Sequence, residues 1–535
     1  MLMNRSTAIA LPLPGSPRIP GWARSVQGLL VALGVALLTA PALFAAVTSD
    51  SKYHYLLARH DINGNLLNLP GFVIHDMRWR LHQGRITPVG VFAQEVQYFL
   101  GMTVAQALGI ELYVVEAITR ALLILAAIAA FAWLARELFG RTGYARAVTI
   151  IFAVLYAAGA NATVTHRSGW TTFVVLCLGT VAIVLATAAL LLHVTRRWPD
   201  LSPPARRAWA VGLFIVGVAV VLYYEMTVVA GVFSVVLLGV LWWRARRTGA
   251  AAVPLAPTLA LSAGGLVTLA VTRTLIRIYG CRGPGCYPGF RLRIDLQWPV
   301  DAVRSVVGSM PVASGAGTVA RDGVGGLQMS SGALIMFTLI GASSLALAGA
   351  MARRTVGERS LDPVASATIV ERATALWIAG AVALVATALV MSVSVQAQDS
   401  VLTAFTSTYR STPLLWSMLC LLAAPVLAWL LLRPKWGVGV IVALAIWGAL
   451  IGGLATPANS MAARADRARG LGISEQTLKI VVMGPRVYDA PARCAASVPL
   501  RRRYHNVFDR YTVESPATAY RSLWGEDLCP GRPRR

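Results

Sequence analysis

The chain has 535 residues, 56% of them hydrophobic and only 13% charged, with a formal charge of +25. A soluble domain carries about 25% charged residues, so the composition excludes an ordinary soluble domain and describes an integral membrane protein. The positive charge is nearly all arginine, with lysine only at Lys52, Lys435 and Lys479. It is scattered in small groups beside apolar runs, which excludes a nucleic-acid-binding surface in favour of loops held on one side of a bilayer.

Residues 1–26 form a basic, proline-rich tail expected in the cytoplasm. The apolar run 27–48 is too long for a signal-peptide core, and no convincing small-residue cleavage site follows it, so it reads as a retained first span. The most polar stretch of the chain comes next. Within an outer loop at 49–111 lie Asp50, Lys52, His54, His60, Asp61, His75, Asp76, His82 and Arg85, including four of the seven histidines. On a ruler of about 20 apolar residues per crossing, further spans fall near 112–135, 147–161, 170–193, 209–225, 226–243, 254–277, 328–351, 373–394, 413–432 and 436–456. The expected fold is therefore an all-α polytopic bundle at 27–456 with about eleven transmembrane helices. A second long outer loop lies at 278–327, and a small extracytoplasmic α/β domain lies at 457–535, with a short helix near 462–470 and a strand at Lys479–Met483.

Arginine placement gives an orientation. Basic groups recur at Arg136, Arg141 and Arg146, at Arg196, Arg197, Arg206 and Arg207, at Arg244, Arg246 and Arg247, at Arg353, Arg354 and Arg359, and at Arg433 with Lys435. Together with Arg5, Arg18 and Arg24 they occupy every loop that is internal if the N-terminus is inside and the C-terminus outside. The cysteines agree. Cys177 and Cys420 fall within spans and read as inert packing residues. Cys281 with Cys286 in one outer loop, and Cys494 with Cys529 in the tail, are positioned for disulfides on the oxidising side.

Several chemistries lack their motifs: there is no Gly-rich phosphate loop ending in Gly-Lys-Ser/Thr, no His-Glu-x-x-His and no Gly-x-Ser-x-Gly. Asp50 lies two residues beyond the first span, where a carboxylate can take a proton from an acceptor hydroxyl at headgroup level; the competing reading is a helix-end acid that marks the interface. Glu225, in Tyr223-Tyr224-Glu225-Met226, lies between two apolar spans. An ionisable group at membrane depth is costly and marks function, an argument that lapses if the turn lies in water. Glu116 and Arg120 are four apart and are expected to pair with each other. Lys52, Arg85, Arg167, Arg273, Arg277 and Arg410 are basic side chains near the outer surface, and arginine forks bind phosphate. Arg410 follows Tyr409 just before the tenth span. His54, His60, His75 and His82 could hold a divalent metal with Asp61 or Asp76, although none shows the i, i+4 spacing of a helix-borne pair.

This layout resembles the GT-C glycosyltransferases that use polyprenyl-phosphate sugars, in particular their uncharacterised bacterial membrane branch. The residues that carry the resemblance are Thr48-Ser49-Asp50-Ser51 after the first span, Gly84-Arg85-Ile86-Thr87-Pro88, Tyr224-Glu225 at a mid-chain span junction and Tyr409-Arg410 before a late span. Where family members often carry two adjacent acids, Ser51 follows Asp50, so a second acid would come from Asp61, Asp76 or Glu225. The resemblance implies an enzyme of the bacterial cytoplasmic membrane that moves a sugar from a polyprenyl-phosphate carrier to a glycan, lipid or protein acceptor of the cell envelope. Asp50 would be the base, Arg410 with Lys52 would neutralise the leaving phosphate, and Arg85, Glu225 and Tyr409 would shape the substrate sites. No cofactor is required in principle, because a single phosphate needs less neutralisation than a diphosphate; use of a divalent metal is left open. The alternatives are a transporter or flippase of a lipid-linked saccharide, and a non-catalytic envelope-assembly scaffold.

Overall fold

The computed structural model describes residues 21–43, 49–82, 84–140, 142–160, 169–170, 173–249, 253–280, 292–310, 339–343, 346–347, 349–350, 363–393, 411–433, 435–444, 446–447, 475–495 and 507–530. Eight helices are long and apolar enough to cross a membrane. They are α5 (Leu112–Phe139), α6 (Gly143–Ala160), α7 (Val174–Arg197), α8 (Pro203–Tyr223), α9 (Val229–Arg247), α10 (Ala256–Tyr279), α12 (Pro363–Ser392) and α13 (Thr412–Leu432). Each coincides with an expected span. Ahead of them come α1 (Gly21–Leu43), α2 (Ser49–Asp61), α3 (Leu69–His82) and α4 (Pro88–Leu108), and α11 (Trp298–Gly308) lies in the second long loop. The apolar part of α1, Ser25–Thr39, is shorter than the eight spans. The span expected at 328–351 lies largely outside the described residues, and that at 436–456 is described only over 436–444 and 446–447. No strand occurs among the described residues, which are those of an all-α, multi-pass membrane protein.

Burial sorts the helices by position. In α6 the apolar window is 83% buried, whereas in α8 and α10 it is only 17% and 22% buried. α6 is therefore central, packed between α5 and α13, while α8 and α10 pair with each other at the periphery and turn Val211, Ile215, Leu259 and Leu266 outward. Apolar side chains that find no protein neighbour in a span are satisfied by lipid, so the outer belt needs no further partner.

The basic loops gather at one end of the bundle. At the close of α5, Glu137 lies 3.0 Å from His193 and 3.3 Å from Arg196 of α7. Nearby, Arg372 donates to the Leu138 carbonyl and Arg244 to that of Glu371. At the opposite end, residues 49–108 meet the last described segment, formed by α14 (Glu475–Met483) and α15 (Val507–Trp524). Tyr55, Leu56, Tyr98 and Met102 share an apolar cluster with Val481, Ala519 and Tyr520. Around it Lys479 pairs with Glu111 at 2.6 Å, Gln106 donates to the Leu523 carbonyl at 2.6 Å, and Trp524 donates to the Val481 carbonyl at 3.0 Å. The Cys494–Cys529 disulfide closes this segment. Cys177 and Cys420 are buried in spans, as expected.

One expectation is corrected. Lys479–Met483 belongs to helix α14 and is not a strand. Leu478, Val481 and Val482 recur at i, i+3 and i+4 and pack with Ala519 and Tyr520, which is the helical period and not the alternating one. The described part of the expected α/β domain is thus helical. The short helix near 462–470 and the pair Cys281 and Cys286 lie outside the described residues.

Candidate functional site

The Gly84-Arg85-x-x-Pro88 stretch has a clear local physics. Gly84 adopts φ +83°, the left-handed conformation that favours glycine. Its N–H donates to the Leu81 carbonyl at 2.9 Å and the Arg85 N–H to that of Arg80 at 2.8 Å, which ends α3 as a Schellman cap. Pro88, which has no N–H to lose, opens α4 after Thr87. Arg85 is therefore held between two fixed helix ends.

Its partner comes from 140 residues away. α8 ends at Tyr223, Tyr224 is extended, and a single 3-10 turn at Glu225–Val228 leads into α9. Thr227 closes this break: its hydroxyl donates to the carbonyls of Val220 and Tyr224, and its N–H reaches the Tyr224 carbonyl at 3.0 Å. Both flanking helices are of spanning length, so Glu225 lies between two helices each long enough to cross a membrane and not within one of them. Arg85 grips Glu225 with both prongs, Nε to Oε1 at 2.5 Å and Nη2 to Oε2 at 3.0 Å. This is the bidentate geometry that makes arginine a carboxylate and phosphate ligand. The guanidinium also lies 5.8 Å from the centre of the Tyr224 ring. The pair is open to solvent, with Arg85 18% and Glu225 37% exposed.

Backbone contact fixes the two halves. A Cβ at Gly90 in the first turn of α4 would fall 1.9 Å from the Tyr223 carbonyl oxygen, so only glycine permits this approach. Tyr223 in turn donates to the Val175 carbonyl at the start of α7. Just before α7, Phe173 holds φ +52°, an uncommon conformation for an aromatic residue. His54 stacks on Tyr98 at 5.7 Å and meets Phe173 edge-on at 5.0 Å. The ends of α3 and α8 and the starts of α4, α7 and α9 thus meet at one junction.

Asp50 is the second residue of α2, and its side chain lies outside the described residues. Lys52 is buried in the same helix. Tyr409 and Arg410 lie outside the described residues. Asp61 and Asp76 do not join Arg85. Asp61 lies 3.0 Å from His60 and lines a solvent-open groove with Asn63, Asn68, Phe72 and His75, and Asp76 is bonded to Arg80. His54 faces aromatic rings, and no three His, Cys, Asp or Glu side chains converge as a metal site among the described residues.

Two groups escape a reading of the sequence. Glu95 in α4 is 3% exposed, and its Oε2 has no hydrogen-bond partner among the described residues. Burial, with Asp61 and Asp76 as neighbouring like charges outweighing Arg80, pushes its carboxyl up to about 8, so it holds its proton at neutral pH. The signal available was an acid in helical register with the apolar Val91, Tyr98 and Met102. The second is Tyr55, whose hydroxyl donates to Glu116 and accepts from Gln97 at 2.9 Å. Glu116 also takes Arg120 at 3.3 Å, the expected pair. Burial and the neighbouring Glu116 hold the Tyr55 phenol well above its usual range. This network joins α2 to α5.

The fold and this junction define a class: a multi-pass helical membrane protein with shorter helices packed over one end of the bundle and an Arg–Glu fork between them and the α8–α9 break. Comparison with protein-family models, curated proteins and solved structures finds no match.

Proposed function

We propose that the protein is a membrane glycosyltransferase of the GT-C type. It would transfer a sugar from a polyprenyl-phosphate carrier to an envelope acceptor on the outer side of a bacterial cytoplasmic membrane. The observation that carries this reading is the Arg85–Glu225 fork, partly open to solvent at the break between two helices of spanning length and built from the two stretches, Gly84–Pro88 and Tyr224-Glu225, that resemble the family. In the complete fold the spans number about eleven, with the basic loops inside and residues 49–111 and 457–535 outside.

In the reaction an acceptor hydroxyl attacks the anomeric carbon, the bond from that carbon to the phosphate oxygen breaks, and the polyprenyl phosphate leaves as an anion. Asp50 takes the hydroxyl proton. Arg410 with Lys52 balances the charge that develops on the phosphate. Arg85 and Glu225 hold hydroxyls of the sugar and acceptor, with Tyr409 at the entrance. No cofactor is required. A transporter would be expected to carry its ionisable site near the midplane on broken helices; the position of Glu225 between two full-length spans favours the transferase.

The test is release of polyprenyl phosphate from a panel of radiolabelled polyprenyl-phosphate sugars by the purified protein, with an acceptor-rich membrane extract. Release by the parent and its loss in Asp50→Asn is the expected result. Full release by Asp50→Asn removes the assignment of the base. Absence of release from every donor by folded protein removes the transferase reading.

A further inference from the structure

The long polar loop after the first span is not polar throughout. α4 carries Val89, Phe92, Leu100, Val104 and Leu108 on one side, each between 38% and 67% exposed. The other side buries Val91, Tyr98, Phe99, Met102 and Ala105 together with Gln94 and Glu95, so α4 is apolar on both sides. A helix in water turns polar residues outward, whereas the outward side of α4 is apolar. α4 is nevertheless not apolar enough to count as a ninth span.

Its neighbours identify what covers the outward side. α4 packs on α8, and α3 packs on α10. These two helices form the least buried part of the bundle and display Val211, Phe214, Ile215, Leu259 and Leu266. Gly90 in the first turn of α4 meets Tyr223 at the end of α8, so the α4 stripe begins where that exposed belt ends. Contiguous apolar surface of this kind marks a membrane or protein contact, and a protein partner would have to sit against the acyl chains that already cover α8 and α10.

We infer that α4 is a membrane-embedded surface helix whose Val89, Phe92, Leu100, Val104 and Leu108 stripe lies in the acyl chains of the bilayer, continuous with the lipid-facing sides of α8 and α10. Residues 88–108 are then not part of an aqueous loop. The Arg85–Glu225 fork, three residues ahead of α4, is held at the depth where lipid headgroups begin. The inference stands whether or not the protein transfers sugar.

The experiment uses the full-length protein in liposomes of phosphatidylethanolamine and phosphatidylglycerol, free of polyprenyl lipid. Single cysteines at Val89, Phe92, Leu100, Val104 and Leu108 are labelled with a polarity-sensitive fluorophore. Asn63→Cys, on the exposed turn after α2, is the water-side reference, and the unaltered chain sets the background. Expected are a blue shift at all five positions relative to Asn63→Cys, quenching by acyl-chain nitroxide lipids and protection from aqueous iodide. Iodide quenching equal to that at Asn63→Cys would overturn the inference by placing the stripe in water. A blue shift with neither quencher effective would overturn it in favour of a protein partner. Absence of polyprenyl lipid makes bulk acyl chains the only lipid source for a positive result.

Discussion

Two of the arginine–glutamate pairs among the described residues share chemistry and differ in almost everything else. Glu116 and Arg120 are one helical turn apart and sealed from solvent, at 0% and 2% side-chain exposure, with Tyr55 bonded to the same carboxylate. Arg85 and Glu225 come from segments 140 residues apart and remain partly open. A buried pair that loses one member leaves an uncompensated charge, so the first pair fixes α2 against α5. An open fork can exchange its partner for another anion or for hydroxyl groups, so the second pair is available to a ligand. Residue type alone does not separate scaffold from site; depth does.

The contrast can be broken experimentally. The largest effect is expected at the sealed pair: Glu116→Ala should cost about 3–5 kcal/mol, read as a fall in the thermal midpoint in detergent. The double replacement Glu116→Met with Arg120→Met should recover most of that loss, and failure to recover would show that the pair does more than hold α2. Next is the open fork. Arg85→Ala should lower sugar transfer about 100-fold while leaving the thermal midpoint nearly unchanged. Arg85→Lys should rescue it poorly, because an ammonium keeps the charge without the fork. A matching loss of stability would make this pair a second scaffold. The smallest effect concerns a third way of holding a carboxyl, neutral and without an arginine fork. Glu95 keeps its proton in the folded chain up to about pH 8, whereas an unfolded glutamate releases it near about pH 4.3. Between those values the folded state binds the extra proton, so stability falls as pH rises, by about 1.4 kcal/mol from about pH 6.5 to 7.5. Glu95→Gln should flatten that slope in thermal unfolding measured across the range.

Much of the bundle was legible because a span writes itself in composition. Every one of the eight spanning helices falls on an apolar run of about 20 residues. The break at Tyr224-Glu225 was legible too, as an acid between two such runs. The pairing of Glu225 with Arg85 was not, because it depends on the Gly90 backbone meeting the end of α8, a tertiary contact with no local period. Glu95 was missed because residues 49–111 read as a polar loop, and the apolar side of α4 is diluted by the glutamines on its inward side. The stretch Lys479–Met483 failed for a different reason. A five-residue apolar run fits a strand or a helix turn equally, and only its docking on α15 decides.

The docking of the last described segment on α2 also dictates an order of biosynthesis. Gln106 is bonded to Leu523, 417 residues further along the chain, and Tyr55 and Leu56 in α2 are covered by side chains made at the same late stage. Membrane helices are inserted as they leave the ribosome, so the segment 49–108 must wait, with its apolar side uncovered, until nearly all the spans are in place. A chain arrested before Glu475 cannot bury that side and presents it to proteases and chaperones, so this end of the bundle is completed only on molecules that have been translated through to their partner helices.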